Sequence, residues 1–113
     1  IYTLKGRRIV LGPPPGSLRG LTSAPETYAV AQAELIGARY GADWGIAETG
    51  ASGGGSVHPL GVASGRSAVA VAGPNGITAS RLVETGSNDR LANMQAFTVA
   101  ALGLLRDTLA ANA

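Results

Sequence analysis

The sequence predicts a layered α/β fold, on three observations. Hydrophobic residues make up 45% of the 113 residues but aromatics only 4%, so the core is built from small side chains with helices and strands in close approach. Apolar residues recur at helical spacing in two segments and form short runs in others. Glycine- and proline-rich stretches punctuate the segments. The length suits one packed core and is short for two ordinary domains, so residues 1–113 are read as a single domain.

Composition removes several function classes. Nine basic residues against seven acidic give a net charge of +2, a small imbalance rather than a basic field, so no nucleic-acid partner is expected. The absence of cysteine excludes disulfides, thiolate zinc sites and a cysteine nucleophile, and leaves hydroxyl groups as candidate nucleophiles. One histidine and no clustered carboxylates leave no expected metal site, because zinc needs three or four ligands. No apolar run approaches the roughly 20 residues that cross a bilayer, and no signal-peptide pattern is present. A soluble, cytoplasmic protein with no membrane partner is expected.

Taken in order, Ile1-Tyr2-Thr3-Leu4 reads as the end of an element, so the first elements of the domain are expected upstream. A short apolar stretch at 9–11 leads into Gly12-Pro13-Pro14-Pro15-Gly16, a rigid loop, since three prolines neither continue a helix nor occupy a central strand. Ser23 and Glu26 have capping-box spacing, with Pro25 in the first turn, and a helix is predicted to about Arg39. Its apolar side is read as Tyr28, Ala31, Leu35 and Ala38, and Gly41 is a natural stop. A short buried strand at 44–47 ends in Glu48-Thr49-Gly50 and feeds a long glycine-rich loop. Residues 67–72 and 77–84 form an antiparallel hairpin around Gly73-Pro74-Asn75-Gly76, with Ile77, Ala79 and Leu82 facing inward. After the capping signal Ser87-Asn88-Asp89, a helix is predicted with Leu91, Met94, Thr98, Ala101 and Leu105 as its apolar stripe, widened by Phe97, Leu102 and Leu109.

The chemistry-bearing features are few. Glycines in Thr49-Gly50-Ala51-Ser52-Gly53-Gly54-Gly55 let backbone N–H groups approach an anion or an oxyanion without Cβ interference. A structural loop and a ligand cradle both fit, and neither the P-loop nor the dinucleotide-binding spacing is met. Ser52 or Ser56 with His58 is a weaker pairing, because no orienting acid is indicated. Lys5-Gly6-Arg7-Arg8 is read as a solvated edge or as a phosphate contact, and no interleaved aromatics favour RNA. Arg90 lies in the first turn of the last helix, where the dipole disfavours a cation unless an anion is also bound.

Several segments together resemble one family. The run from Ala42-Asp43-Trp44 through Thr49-Gly50-Ala51-Ser52-Gly53 is similar to a strand ending in S/T-G-I-A-G in the C-terminal domain of CinA-type proteins. Tyr2 through Arg7 and on to Gly12 resembles that family's V-x-Y-S-N-E-x-K segment. Pro59-Leu60-Gly61 leading to the Val69 strand, and residues 86–90, resemble its P-V-G-x-V strand and G-D-R helix start. The set covers almost the whole chain in order.

The resemblance implies a three-layer α/β/α domain with a mixed sheet, the first elements missing from this chain. It also implies metal-independent, cofactor-free hydrolysis of nicotinamide mononucleotide to the acid and ammonia. The nucleophilic serine belongs to an A-E-S-x-T-G-G motif that would stand upstream of Ile1. By position, Tyr2 matches the active-site tyrosine and Arg7 the lysine. Lysine can give up a proton and serve as base, whereas arginine stays charged and is suited to holding phosphate or orienting Tyr2. Lys5 is the substitute base if the chain turns helical after Thr3. Thr49 matches the hydroxyl residue at the strand end, residues 50–53 (Gly50, Ala51, Ser52, Gly53) the loop lining the nucleotide, and Arg90 a phosphate ligand. The expected partners are a pyridine nucleotide and further copies of the chain or its own upstream segment. The alternative is a non-catalytic nucleotide-binding or assembly subunit, for which the arginine at position 7 and the altered loop speak.

Overall fold

The computed structural model describes residues 3–11, 25–54 and 63–113. Helix α1 spans Leu4–Leu11. The Thr3 hydroxyl starts it by accepting the Gly6 N–H at 2.9 Å, and the Arg7 N–H reaches the Thr3 carbonyl at 2.9 Å, which satisfies donors that a helix start leaves open. The helical turn after Thr3 is therefore present.

Helix α2 spans Pro25–Tyr40. Its buried side is Ala29, Gln32, Ala33 and Gly37, so the stripe expected at Tyr28, Ala31, Leu35 and Ala38 is corrected: at about 3.6 residues per turn the two sets centre roughly 160° apart, on nearly opposite sides of the helix. Close approach decides the side: small residues at 29, 33 and 37 let the helix backbone settle on the sheet, where larger side chains would hold it off. Ser23 of the expected capping box lies outside the described residues. Glu26 accepts the Ser80 hydroxyl at 3.0 Å.

Strands β1 (Gly45–Ala51), β2 (Arg66–Ala72) and β3 (Thr78–Glu84) form a sheet in the order β1-β2-β3. Both neighbouring pairs are antiparallel, with Gly45 opposite Ala72 and Ala51 opposite Arg66 on one side of β2, and Ala72 opposite Thr78 on the other. No parallel pair lies among the described residues. The expected hairpin is present. Its turn is the 3-10 segment Pro74–Gly76, in which Asn75 takes φ 60° and Gly76 φ 76°, a region open to asparagine and glycine.

The alternation of β2 builds three layers. Ala68, Ala70 and Ala72 meet Ala29 and Ala33 of α2. The opposite face, Val69 and Val71, meets Ala101 and Leu104 of helix α3 (Arg90–Ala111). Buried on both sides, β2 reads in sequence as a continuous apolar run. On β3, Ala79 and Val83 pack toward α3, whereas Leu82 has the opposite parity and is exposed; the inward assignment of Leu82 is corrected on that ground.

Helix α3 buries Asn93, Phe97, Ala101, Leu104 and Thr108. Phe97 and Ala101 belong to the expected stripe, but Leu91, Met94, Leu102 and Leu109 are exposed and Thr98 with them. Apolar residues stand on the exposed side of the helix as well as on the packed one, so apolar spacing does not mark the packed side. Two polar residues occupy it with their hydrogen bonds satisfied, Thr108 donating to the Leu104 carbonyl at 2.7 Å. Among the described residues no helix is long and apolar enough to cross a membrane.

Candidate functional site

The end of β1 and the start of α3 meet in one hydrogen-bonded junction. Past Ala51 the chain runs through Ser52 to Gly53 and Gly54, which take φ 89° and 92°. Both are crowded as well as left-handed. A Cβ on Gly53 would strike the side chain and backbone of Asn88, and one on Gly54 would press on the Arg90 stem at 3.2 Å. Only glycine meets both demands. On the facing side Asp89 caps α3, accepting the Ala92 N–H at 3.0 Å. The Ser87 hydroxyl accepts the Asp89 N–H at 3.0 Å.

Arg90 closes the junction. Its Nη1 donates to the Ser52 hydroxyl at 2.9 Å and to the Gly53 carbonyl at 3.3 Å. Behind it, Asn93 Nδ2 donates to the carbonyls of Ser52 at 3.0 Å and Ser87 at 2.9 Å, while the Thr85 hydroxyl donates to Asn93 Oδ1. Ion pairs of the described residues join Arg66 with Glu84, and Arg81 and Arg106 with Asp107. None of them involves Arg90, which among the described residues meets neutral oxygens only. The Asp89 carboxylate already serves the helix N-terminus, so it is the exposed Arg90 guanidinium, with no carboxylate partner among the described residues, that is suited to an anion.

The structure brings together Ser52, Gly53 and Arg90 of the residues singled out from sequence, and separates others. Gly50 and Ala51 are strand residues, because β1 runs four residues beyond the expected end at 47; pairing with Arg66 and Ser67 extends it. Gly50 has a packing reason to be glycine, since a Cβ there would collide with the Arg66 carbonyl and with Ser67. Thr49 is buried opposite Ala68, on the α2 side of the sheet, whereas Ser52 bonds to α3 on the other side. Arg7 Nη1 donates to the Tyr28 hydroxyl on α2 at 3.2 Å. Lys5 is exposed and two residues away, so it points to a different side of α1. Tyr2, Ser56 and His58 lie outside the described residues. Among the described residues no group of three or more histidines, cysteines or carboxylates is placed to hold a metal.

Sequence reasoning missed Asn93 and Thr85. For Asn93 the available signal was an amide side chain between apolar neighbours one turn after Arg90; Thr85 offered none. Sequence reasoning also missed Ser67, whose buried hydroxyl donates to Glu48 at 2.6 Å and lies 3.2 Å from the Thr49 carbonyl as the alternative acceptor of its one proton, fixing the strand just before the junction.

A three-layer α/β fold with a glycine-lined junction at a helix N-terminus defines the class. The model of the CinA C-terminal domain family matches residues 1–109, and the chain belongs to that family. Solved structures agree on the fold. The competence/damage inducible protein CihA from Agrobacterium tumefaciens is 23% identical with a TM-score of 0.79 over 96% of this chain and 65% of that one. The competence damage-inducible protein A (ComA) from Klebsiella pneumoniae is 23% identical with a TM-score of 0.77, over 96% and 66%. A competence-damaged protein (CinA) superfamily protein from Escherichia coli is 22% identical with a TM-score of 0.76, over 96% and 60%. The chain thus spans 65%, 66% and 60% of these proteins. No curated protein matches the chain.

Proposed function

We propose that this chain is part of a cytoplasmic amidohydrolase that converts nicotinamide mononucleotide to nicotinate mononucleotide and ammonia. The single observation that carries the reading is Arg90: a cation without a carboxylate partner among the described residues, held at a helix start beside two left-handed glycines, in a chain of the CinA C-terminal domain family. The substrate phosphate takes the guanidinium, together with those N–H donors at the start of α3 that Asp89 does not hold. Three residues of extended chain separate Thr49 from Ser52, about 10 Å. A mononucleotide with its phosphate at Arg90 lies on the α3 side of the sheet, whereas Thr49 is buried on the α2 side.

A serine hydroxyl attacks the carboxamide carbon in this scheme. The tetrahedral intermediate expels ammonia, which leaves with a transferred proton, and water then hydrolyses the acyl-serine ester to the acid. The motif A-E-S-x-T-G-G that would carry this serine is not among the 113 residues, so the reading requires a longer polypeptide. Tyr2, with Lys5 as proton carrier or Arg7 orienting it, assists proton transfer, and loop N–H groups stabilise the oxyanion; Thr49, buried on the far side of the sheet from Arg90, is not given that role. Further copies of the chain, or its upstream segment, complete the assembly; the exposed Leu91, Met94, Leu102 and Leu109 on α3 support that part. The test is ammonia release from nicotinamide mononucleotide by the complete protein, and no release from it or from other pyridine carboxamides removes the proposal.

The second reading, a non-catalytic nucleotide-binding subunit, is favoured by Arg7. Its guanidinium is engaged with Tyr28, as suits an anchor rather than a proton carrier. Binding of the nucleotide without ammonia release would select it.

A further inference from the structure

We infer that Asn93 is the positioning residue that holds the Ser52–Gly53 backbone in the anion-receiving conformation, an inference that rests on the phosphate being held at Arg90. Asn93 is 0% exposed, yet an apolar residue would be the ordinary occupant of a helix position that faces the sheet. Its amide is instead fully used. Nδ2 donates to the Ser52 and Ser87 carbonyls, Oδ1 accepts the Thr85 hydroxyl, and the backbone N–H reaches Asp89 at 3.0 Å. Arg90 and Asn93 are three residues apart on one helix, so they present to the same side and grip consecutive groups of the same loop. Asn93 takes the Ser52 carbonyl; Arg90 takes the Ser52 hydroxyl and the Gly53 carbonyl.

The two grips differ in what happens when an anion arrives. The exposed guanidinium binds the loop through Nη1 alone, so its remaining donors can take the ligand. The Asn93 amide is buried and keeps the loop in place while Arg90 engages the anion. Without it, Gly53 and Gly54 regain the freedom that their left-handed conformations give up, and binding has to order them. The Thr85 hydroxyl also accepts the Ser87 N–H at 3.2 Å, tying the amide's orientation to the segment that leads into α3.

The test compares binding of nicotinamide mononucleotide and of its nucleoside without phosphate, by calorimetric titration of the complete protein and its variants, with a thermal transition recorded for each. Asn93→Leu keeps the branched shape and the number of heavy atoms, with some added bulk, and removes the donors. It should weaken the phosphorylated ligand by roughly tenfold, the ratio produced by ordering about one more backbone residue on binding. The nucleoside should be nearly unaffected, and in an Arg90→Ala background the substitution should have no further effect. Thr85→Val, at an exposed position, removes only the hydroxyl that orients the amide and should weaken the phosphorylated ligand by about threefold, under half of the logarithm of the Asn93→Leu effect. It carries the comparison if Asn93→Leu does not fold. A lowered melting temperature with unchanged phosphate-dependent affinity, or an equal loss for both ligands, would overturn the inference. If Arg90→Ala itself leaves affinity for the phosphorylated ligand intact, the placement of the phosphate fails and the inference with it. If Arg90→Ala weakens binding while neither other variant does, the inference alone fails.

Discussion

Gly45 of β1 lies directly beneath the carbonyl of Ala33 on α2: a Cβ on Gly45 would fall well inside the contact distance of that oxygen and 3.2 Å from the Gly37 nitrogen. The contact sets the spacing between helix and sheet, and Ala29, Ala33 and the alanines of β2 form the thin core that this spacing permits.

Gly45→Ala should therefore push α2 off the sheet. The expected destabilisation is near the upper end of the about 1–3 kcal/mol that overpacking costs. Gly103→Ala is the contrasting substitution, because a Cβ there meets nothing within 4 Å inside α3, and it should stabilise by about 0.5–1 kcal/mol through helix propensity. Denaturant titration of both variants checks the pair. A neutral Gly45→Ala would mean that the helix is free to shift.

The start of α3 gives a second stability prediction. Asp89→Ala removes the acceptor of the Ala92 N–H and should cost about 1 kcal/mol, whereas Asp89→Asn keeps an acceptor and should cost much less. Equal losses in the two variants, measured by thermal unfolding, would show that the charge rather than the cap matters.

Elements with local chemistry were legible in the sequence; the sides they bury were less so. The capping signal Ser87-Asn88-Asp89 contains the cap, Asp89, and the hairpin followed from the turn at 73–76, whereas the helix after Thr3 entered only as a condition for Lys5, and Leu4, read as the end of an element, begins it. Each depends on residues adjacent in the chain. The buried side of α2 depends on how closely a helix backbone approaches Gly45, and that of α3 on hydrogen bonds between Asn93 and residues up to 41 positions away. Neither distance is written in apolar spacing. Of the candidate site, Arg90, Ser52 and Gly53 were singled out and lie together. Thr49 lies on the other side of the sheet because strand parity at the end of β1 follows from its pairing with β2, whose register the sequence did not determine.

Arg7 and Lys5 occupy different sides of α1, and the proposed chemistry separates them. Arg7 engages α2 through Tyr28, whereas Lys5 is exposed. Lys5→Ala should lower the turnover of ammonia release by about a hundredfold, the lower range for a group that takes up and returns a proton, and Arg7→Ala, whose guanidinium stays charged, by less. A larger loss from Arg7→Ala would place the weight on orientation rather than on proton transfer.

The most direct test of the central claim is the steady-state kinetics of ammonia release from nicotinamide mononucleotide by the complete protein and its Arg90→Ala variant. A phosphate held equally in ground and transition states predicts a raised KM with kcat nearly unchanged. The expected loss in kcat/KM corresponds to about 1.5–3 kcal/mol, the worth of a hydrogen bond to a charged group, and a substrate without phosphate should be nearly indifferent. An unchanged KM for the phosphorylated substrate would contradict the account and move the phosphate to Arg7 or Arg8.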